Sequence, residues 1–262
     1  MKPLSKKRAL ITGSTAGLGL AIGESLAAAG CDIVLHGMAP GEEVWDLCAE
    51  LHERFGVEVS YVAADLSSES GVELMINSAK SLLGGIDILL NNAVVRHFAP
   101  VHEFPVEAWE RALAVNLSAV FHATRLVLPE MRNGGWGRIF NMTSIYGLRG
   151  APNRVDYVTT KSALLGFTRV VALENLDFGI TCNAISPGST LTPSIAARVD
   201  ELREQAQLSE ADAVRQFLNG KQPSGRFNEA AHVGDLIVFL CGHSGTDITG
   251  AMLPVDGGWL AS

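Results

Sequence analysis

Short apolar blocks recur along the chain, separated by longer stretches whose apolar positions repeat every three to four residues. Arg8-Ala9-Leu10-Ile11-Thr12 reads as a strand ending in Gly13. From Gly17 the period changes, and Leu18, Ala21, Ile22, Ser25 and Leu26 form one stripe of a helix that stops at Gly30. The same alternation predicts further strands at 32–36, 57–62, 86–90, 137–142, 180–185 and 251–255. Between them lie helices at 42–55, 68–82, 106–131, 155–175 and 229–241. Parallel neighbours need a crossover connection, so strands that alternate with helices imply a parallel sheet covered on both faces. No repeat, low-complexity tract or linker interrupts the pattern. The expectation is one α/β domain over residues 1–262, a doubly wound parallel sheet, with an irregular, partly helical excursion at 189–226.

Composition narrows the partners. With 20 Lys and Arg against 28 Asp and Glu, the formal charge of −8 argues against nucleic acid. No apolar run approaches the roughly 18 residues of a membrane span, and Met1-Lys2-Pro3-Leu4 lacks a secretory segment, so no membrane partner and a cytoplasmic location are expected. Cys31, Cys48, Cys182 and Cys241 form no CxxC pair and read as reduced, buried thiols. Only His97 and His102 lie close among the histidines, with no carboxylate to complete a metal site, and His97 reads as a loop residue near the substrate. The 27 glycines exceed the usual share of about 7%, and their positions carry information.

Thr12-Gly13-Ser14-Thr15-Ala16-Gly17-Leu18-Gly19 falls where the first strand meets the first helix. Glycine there lets a phosphate approach the backbone, and the helix start offers unpaired N–H groups. A tight turn is the plain alternative. No Lys follows the glycines as in an ATP phosphate loop, which favours a dinucleotide. Asp65-Leu66 follows the third strand, where a carboxylate can meet an adenine amino group or simply start a helix. The second strand ends in His36-Gly37-Met38, and no Lys or Arg lies between Asp32 and Asp46, which favours NAD over NADP.

Tyr157 and Lys161 are four apart on one helix, so they share a face, and an ammonium beside a phenol favours the phenolate a general base needs. An ordinary surface pair is the alternative reading. Ser144 follows the fifth strand, where strand ends converge on a ligand crevice; no GxSxG elbow supports a hydrolase.

Together, the turn from Thr12 to Gly19, Asn91-Asn92-Ala93, Asn116, Ser144, Tyr157-x3-Lys161 and Pro187-Gly188 resemble the short-chain dehydrogenase/reductase family across practically the whole chain. The resemblance implies a Rossmann-like sheet, a nicotinamide cofactor and a homotetramer. It makes Tyr157 the acid/base, Ser144 the hydrogen-bond partner of the reacting oxygen, and Lys161 the tuning cation that also holds the nicotinamide ribose. By the same resemblance, Asn116 is expected to anchor a water linking Lys161 to solvent. The implied cofactor contacts are Gly13, Ser14, Thr15, Gly17, Leu18 and Gly19 in the turn, then Met38, Asp65, Leu66, Asn92, Pro187 and Thr192 beyond it. Val94 departs from the family's usual Gly.

Stretches such as His97-Phe98-Ala99-Pro100-Val101 and Lys221-Gln222-Pro223-Ser224 are similar to bacterial 3-hydroxybutyrate dehydrogenases. Positions that hold the substrate carboxylate there read Arg96, Tyr146, Arg154 and Arg198 here, in place of Gln, His, Lys and Gln. Arg presents a planar fork of donors to oxyanions, which suggests a dicarboxylate, sugar acid, sulfonate or phosphonate. The competing expectation has Arg154 replace the Lys conservatively, while Arg96 and Arg198 turn to solvent or pair with acids such as Glu103 or Asp200. The activity implied is oxidation of a secondary alcohol to a ketone, or of a hemiacetal to a lactone, or the reverse. A catalytically silent regulator or scaffold that binds a dinucleotide is the alternative. The resemblance also implies that the segment 189–226 closes over substrate.

Overall fold

Seven short strands pair in parallel in the order β3-β2-β1-β4-β5-β6-β7. In a computed structural model that describes residues 2–262, they are β1 (Arg8–Ile11), β2 (Asp32–Gly37), β3 (Val59–Ala63), β4 (Ile88–Asn91), β5 (Gly137–Met142), β6 (Ile180–Pro187) and β7 (Met252–Val255). Strand side chains alternate, so Ala9 and Ile11 enter one core while Leu10 enters the other. The register Leu10↔Val34 and Leu10↔Leu89 carries that alternation across the sheet. The first core is completed by α1 (Gly17–Ala28), α2 (Trp45–Phe55) and α9 (Ala230–Cys241), the second by α3 (Glu69–Leu83), α5 (Ala119–Gly134) and α6 (Val155–Leu173). This is the doubly wound α/β sheet expected, because strands with no polar face must be covered twice.

The local differences have local causes. β3 starts two residues late because the Val57 carbonyl is taken by His52 Nδ1 of α2 at 2.8 Å. The helix expected over 106–131 runs on to Gly134 but is interrupted: α4 (Val106–Leu113) passes into a π-helical turn, Ala114–Ser118, before α5. That run of 29 residues, Val106–Gly134, is long and apolar enough to cross a bilayer, but its apolar side packs into the second core through Ala119, Ala123, Val127 and Met131. The excursion after β6 contains two helices, α7 (Pro193–Ala206) and α8 (Glu210–Leu218), packed on each other. All four cysteines are buried and unbridged.

Candidate active site

The strand order reverses between β1 and β4, and at their carboxyl ends lies a cavity of about 850 Å³. The β1–α1 turn is tied to β4 there. Thr12 Oγ1 accepts the Asn92 and Ala93 N–H groups at 2.8 and 3.0 Å, and Asn92 Nδ2 donates to the Thr12 and Gly13 carbonyls at 3.0 and 2.8 Å. Gly13 has φ +62°, and a Cβ on it would meet Ala93 Cα at 2.9 Å, so only glycine passes. Gly17, Leu18 and Gly19 line the cavity at the start of α1, which has no side-chain cap and no acidic residue in its first turn. Its bare N–H groups and positive dipole end therefore face the cleft, as a pyrophosphate needs.

Not every residue expected in that turn reaches the cavity. Ser14 is fully buried, its Oγ donating to the Ile11 carbonyl at 2.7 Å and accepting the His36 N–H at 3.0 Å, so its side chain braces β1 against β2. Thr15 lies beside Gly37 and is not itself part of the cavity wall. Met38, Asp65 and Leu66 do line the far end of the cleft. Asp65 accepts the Ser67 N–H at 3.0 Å, which lowers its pKa, with a smaller contribution from Arg111. His36, in β2, also lines this end. Its Nδ1 accepts the Gly13 N–H and its Nε2 donates to the Ala64 carbonyl, both at 3.1 Å, and burial lowers its pKa so that the ring stays neutral. The glycine cradle, the uncapped helix start and the polar far end fit a nicotinamide dinucleotide.

At the other end of the cleft, Ser144 follows β5 and Tyr157 and Lys161 open α6; all three are buried in position yet line the cavity. Lys161 Nζ donates to the Met142 carbonyl at 2.5 Å and lies 5.6 Å from the centre of the Tyr157 ring. Burial pulls the Lys161 ammonium down to about 7, and the Arg96 guanidinium pushes the same way. Asn116 sits in the π turn behind the wall, where its Oδ1 accepts the Val95 N–H at 2.9 Å and its Nδ2 donates to the Val95 carbonyl at 3.0 Å. Widened helical turns recur at functional sites, and this one aims an amide at the loop that carries Arg96.

That loop is held from both sides. Asn116 fixes Val95, and the buried Asp156 accepts the His97 N–H at 2.9 Å while also accepting the Tyr157 N–H at 2.6 Å. Arg96, between them, lies with Cζ 4.6 Å from the Tyr157 ring centre. His97 itself packs edge-on against Phe104 and is absent from the cavity wall. A bridge between Ala99 and Arg154 draws in a second guanidinium, whose Cζ is 5.1 Å from the Tyr146 ring. Tyr146 in turn meets Tyr157 and Trp259 edge to face.

Arg198 of α7 also lines the cavity, with Cζ 5.3 Å from the ring of Phe217 in α8. Neither Glu103 nor Asp200 pairs with Arg96 or Arg198: Glu103 lies 3.3 Å from His102 and Asp200 3.4 Å from Arg203. Pro187 and Thr192 line the wall after β6. Lys221, Phe217 and Trp259 were not singled out as site residues, because the α7–α8 segment and the C-terminal turn are remote in sequence from the catalytic helix.

The short chain dehydrogenase family model matches residues 7–203. The chain is 40% identical to the D-beta-hydroxybutyrate dehydrogenase of Cupriavidus necator, covering 98% of this chain and 99% of the relative. It is 38% identical to the enzyme of the same name from Rhizobium meliloti, over 97% of this chain and 99% of that one. Among solved structures, the L-sorbose reductase of Gluconobacter frateurii, in complex with NADPH and L-sorbose, superposes with a TM-score of 0.93 at 32% identity and 100% coverage of both chains. With Ser144, Tyr157 and Lys161 gathered beside a dinucleotide cradle and a family match spanning most of its length, the chain belongs to the short-chain dehydrogenase family and is an oxidoreductase acting on hydroxy substrates.

Proposed function

We propose that the protein is an NAD-dependent dehydrogenase of a small anionic hydroxy acid, working like a 3-hydroxybutyrate dehydrogenase on a substrate of higher negative charge. The observation that carries this reading is the convergence of Ser144, Tyr157 and Lys161 with Arg96, Arg154 and Arg198 on one cavity. A nicotinamide dinucleotide held by the glycine turn would supply the hydride acceptor for oxidation of the carbinol carbon and the donor for the reverse reaction. Tyr157 takes the hydroxyl proton in oxidation and returns it in reduction, while Ser144 hydrogen-bonds the reacting oxygen. Lys161, fixed by the Met142 carbonyl, lies beside the phenol, where its ammonium form favours the phenolate. Arg96, Tyr146, Arg154 and Arg198 bind the anionic groups of the substrate. The choice of NAD rests on the turn after β2, where Met38 carries no charge to meet a ribose phosphate and no Lys or Arg lies between Asp32 and Asp46.

The same reading makes the enzyme cytoplasmic and a homotetramer. Exposed Phe121 on α5 and Val170 and Leu173 on α6 support subunit packing through these helices. Absorbance at the NADH wavelength tests the activity with 3-hydroxybutyrate and with hydroxy acids bearing a second carboxylate, sulfonate or phosphonate. Tyr157→Phe is expected to lower turnover by at least about a hundredfold with NADH affinity retained. Retained turnover in that variant refutes the assigned role.

A further inference from the structure

The cations around the cavity fall into two pairs. Arg96 and Arg154 are held by the loop that Asn116 and Asp156 pin and by the Ala99–Arg154 bridge, and each stacks on a tyrosine of the reacting centre. Arg198 and Lys221 come from the α7–α8 segment and share one aromatic ring. Lys221 Nζ lies 4.3 Å and Arg198 Cζ 5.3 Å from the centre of Phe217. Lys221 is tethered by donating to the Phe217 carbonyl at 2.8 Å and is half-buried in the cavity wall. Among the described residues none of the four forms an ion pair with a carboxylate. Like charges gathered without a counter-ion repel one another, and the Lys221 ammonium is pushed below its usual range first by burial and then by Arg198 and Arg154.

One monoanionic group cannot offset both pairs. Resting on the hydroxy-acid reading above, we infer that Lys221 and Arg198 form a second oxyanion subsite on the α7–α8 wall, so that the substrate carries two anionic groups, one near the reacting carbon on Arg96 and Arg154 and one distal. A partly desolvated ammonium gains most from an anion that replaces its lost water.

Calorimetry on the NADH-bound enzyme tests this, with unreactive α,ω-dicarboxylates of three to six carbons set against the monocarboxylates of equal length. The expected result is that at least one dicarboxylate binds more tightly than its monocarboxylate. Lys221→Met should weaken that dicarboxylate by about ten- to a hundredfold and the monocarboxylate by less than about twofold. Lys221→Arg should restore most of the difference, which a variant that merely disturbed the end of α8 would not allow. In further arms, 3-sulfopropionate and 3-phosphonopropionate distinguish the distal oxyanion. Equal weakening of mono- and dianions by Lys221→Met, or no preference for any dianion, overturns the subsite. Turnover separates the two readings. Hydroxylated dianions that are oxidised normally by Lys221→Met refute the subsite and leave the activity standing. Lys221-dependent binding of dianions without turnover of any hydroxylated one retains the subsite and refutes the hydroxy-acid activity.

Discussion

Replacing Gly19 by alanine adds one methyl group at a place where the structure leaves none. The new Cβ would overlap the Gly13 carbonyl oxygen, lie 2.6 Å from Asn92 Nδ2 and 3.0 Å from Ser14 Cα. An ordinary contact is about 3.5 Å, so the turn must open by about 0.9 Å at Asn92. The neighbours cannot yield cheaply, since Asn92 is held by the Thr12 and Gly13 carbonyls and Ser14 by Ile11 and His36. Overpacking of this kind costs about 1–3 kcal/mol, a fall of roughly 2–12 °C in Tm for a domain of this size. The same displacement moves the backbone that faces the pyrophosphate, so Gly19→Ala should also weaken NADH at least about tenfold, removing about 1.4 kcal/mol of ligand stabilisation. The control is Gly23→Ala on the same helix, whose Cβ would meet Leu35 Cδ2 at an ordinary 3.5 Å. There the gain in helix propensity should leave Tm unchanged or raise it by up to about 1 kcal/mol in equivalent stability. Differential scanning fluorimetry with and without NADH reads both effects. A Gly19→Ala protein that melts and binds NADH like the parent refutes the steric account of the turn.

The buried Lys161 makes stability depend on pH. The folded protein loses that proton near pH 7 whereas the unfolded chain keeps it to about 10.5, so the unfolded state binds more protons in between. The free energy of unfolding should therefore rise with pH above about 7, by on the order of 1 kcal/mol per pH unit, and the rise should be absent in Lys161→Met. Parallel pH profiles in urea denaturation would show that Lys161 is solvated. Asn116→Ala leaves the Val95 N–H and carbonyl without their partners, at a cost of about 1–3 kcal/mol, and loosens the loop that holds Arg96. It should lower Tm and raise KM for the hydroxy acid, and a variant with only the first effect would confine Asn116 to a structural role. Met38→Arg should bring NADPH within reach of NADH in kcat/KM, since an exposed cation there would meet the ribose phosphate; an unchanged NADH preference would place that site elsewhere.

What the chain determined locally was legible from its own residues. Period-2 and period-3.6 apolar patterns specify strands and helices because each must bury one face, and Gly13 and Gly19 announce a close backbone approach. Tyr157 and Lys161 declare a shared face because four residues make about one helical turn. Arg96, Arg154 and Arg198 were noted as cations, but neither their counter-ions nor their aim is a local property. Only the tertiary structure gathered them on one cavity wall, where among the described residues none of the three forms an ion pair with a carboxylate. It also turned Ser14 into the protein, interrupted a helix to direct Asn116 at Val95, and brought His36, Trp259 and Lys221 into the cavity from distant parts of the chain. Electrostatic and steric complementarity depend on distance in space, and sequence spacing conveys that distance only within a single element.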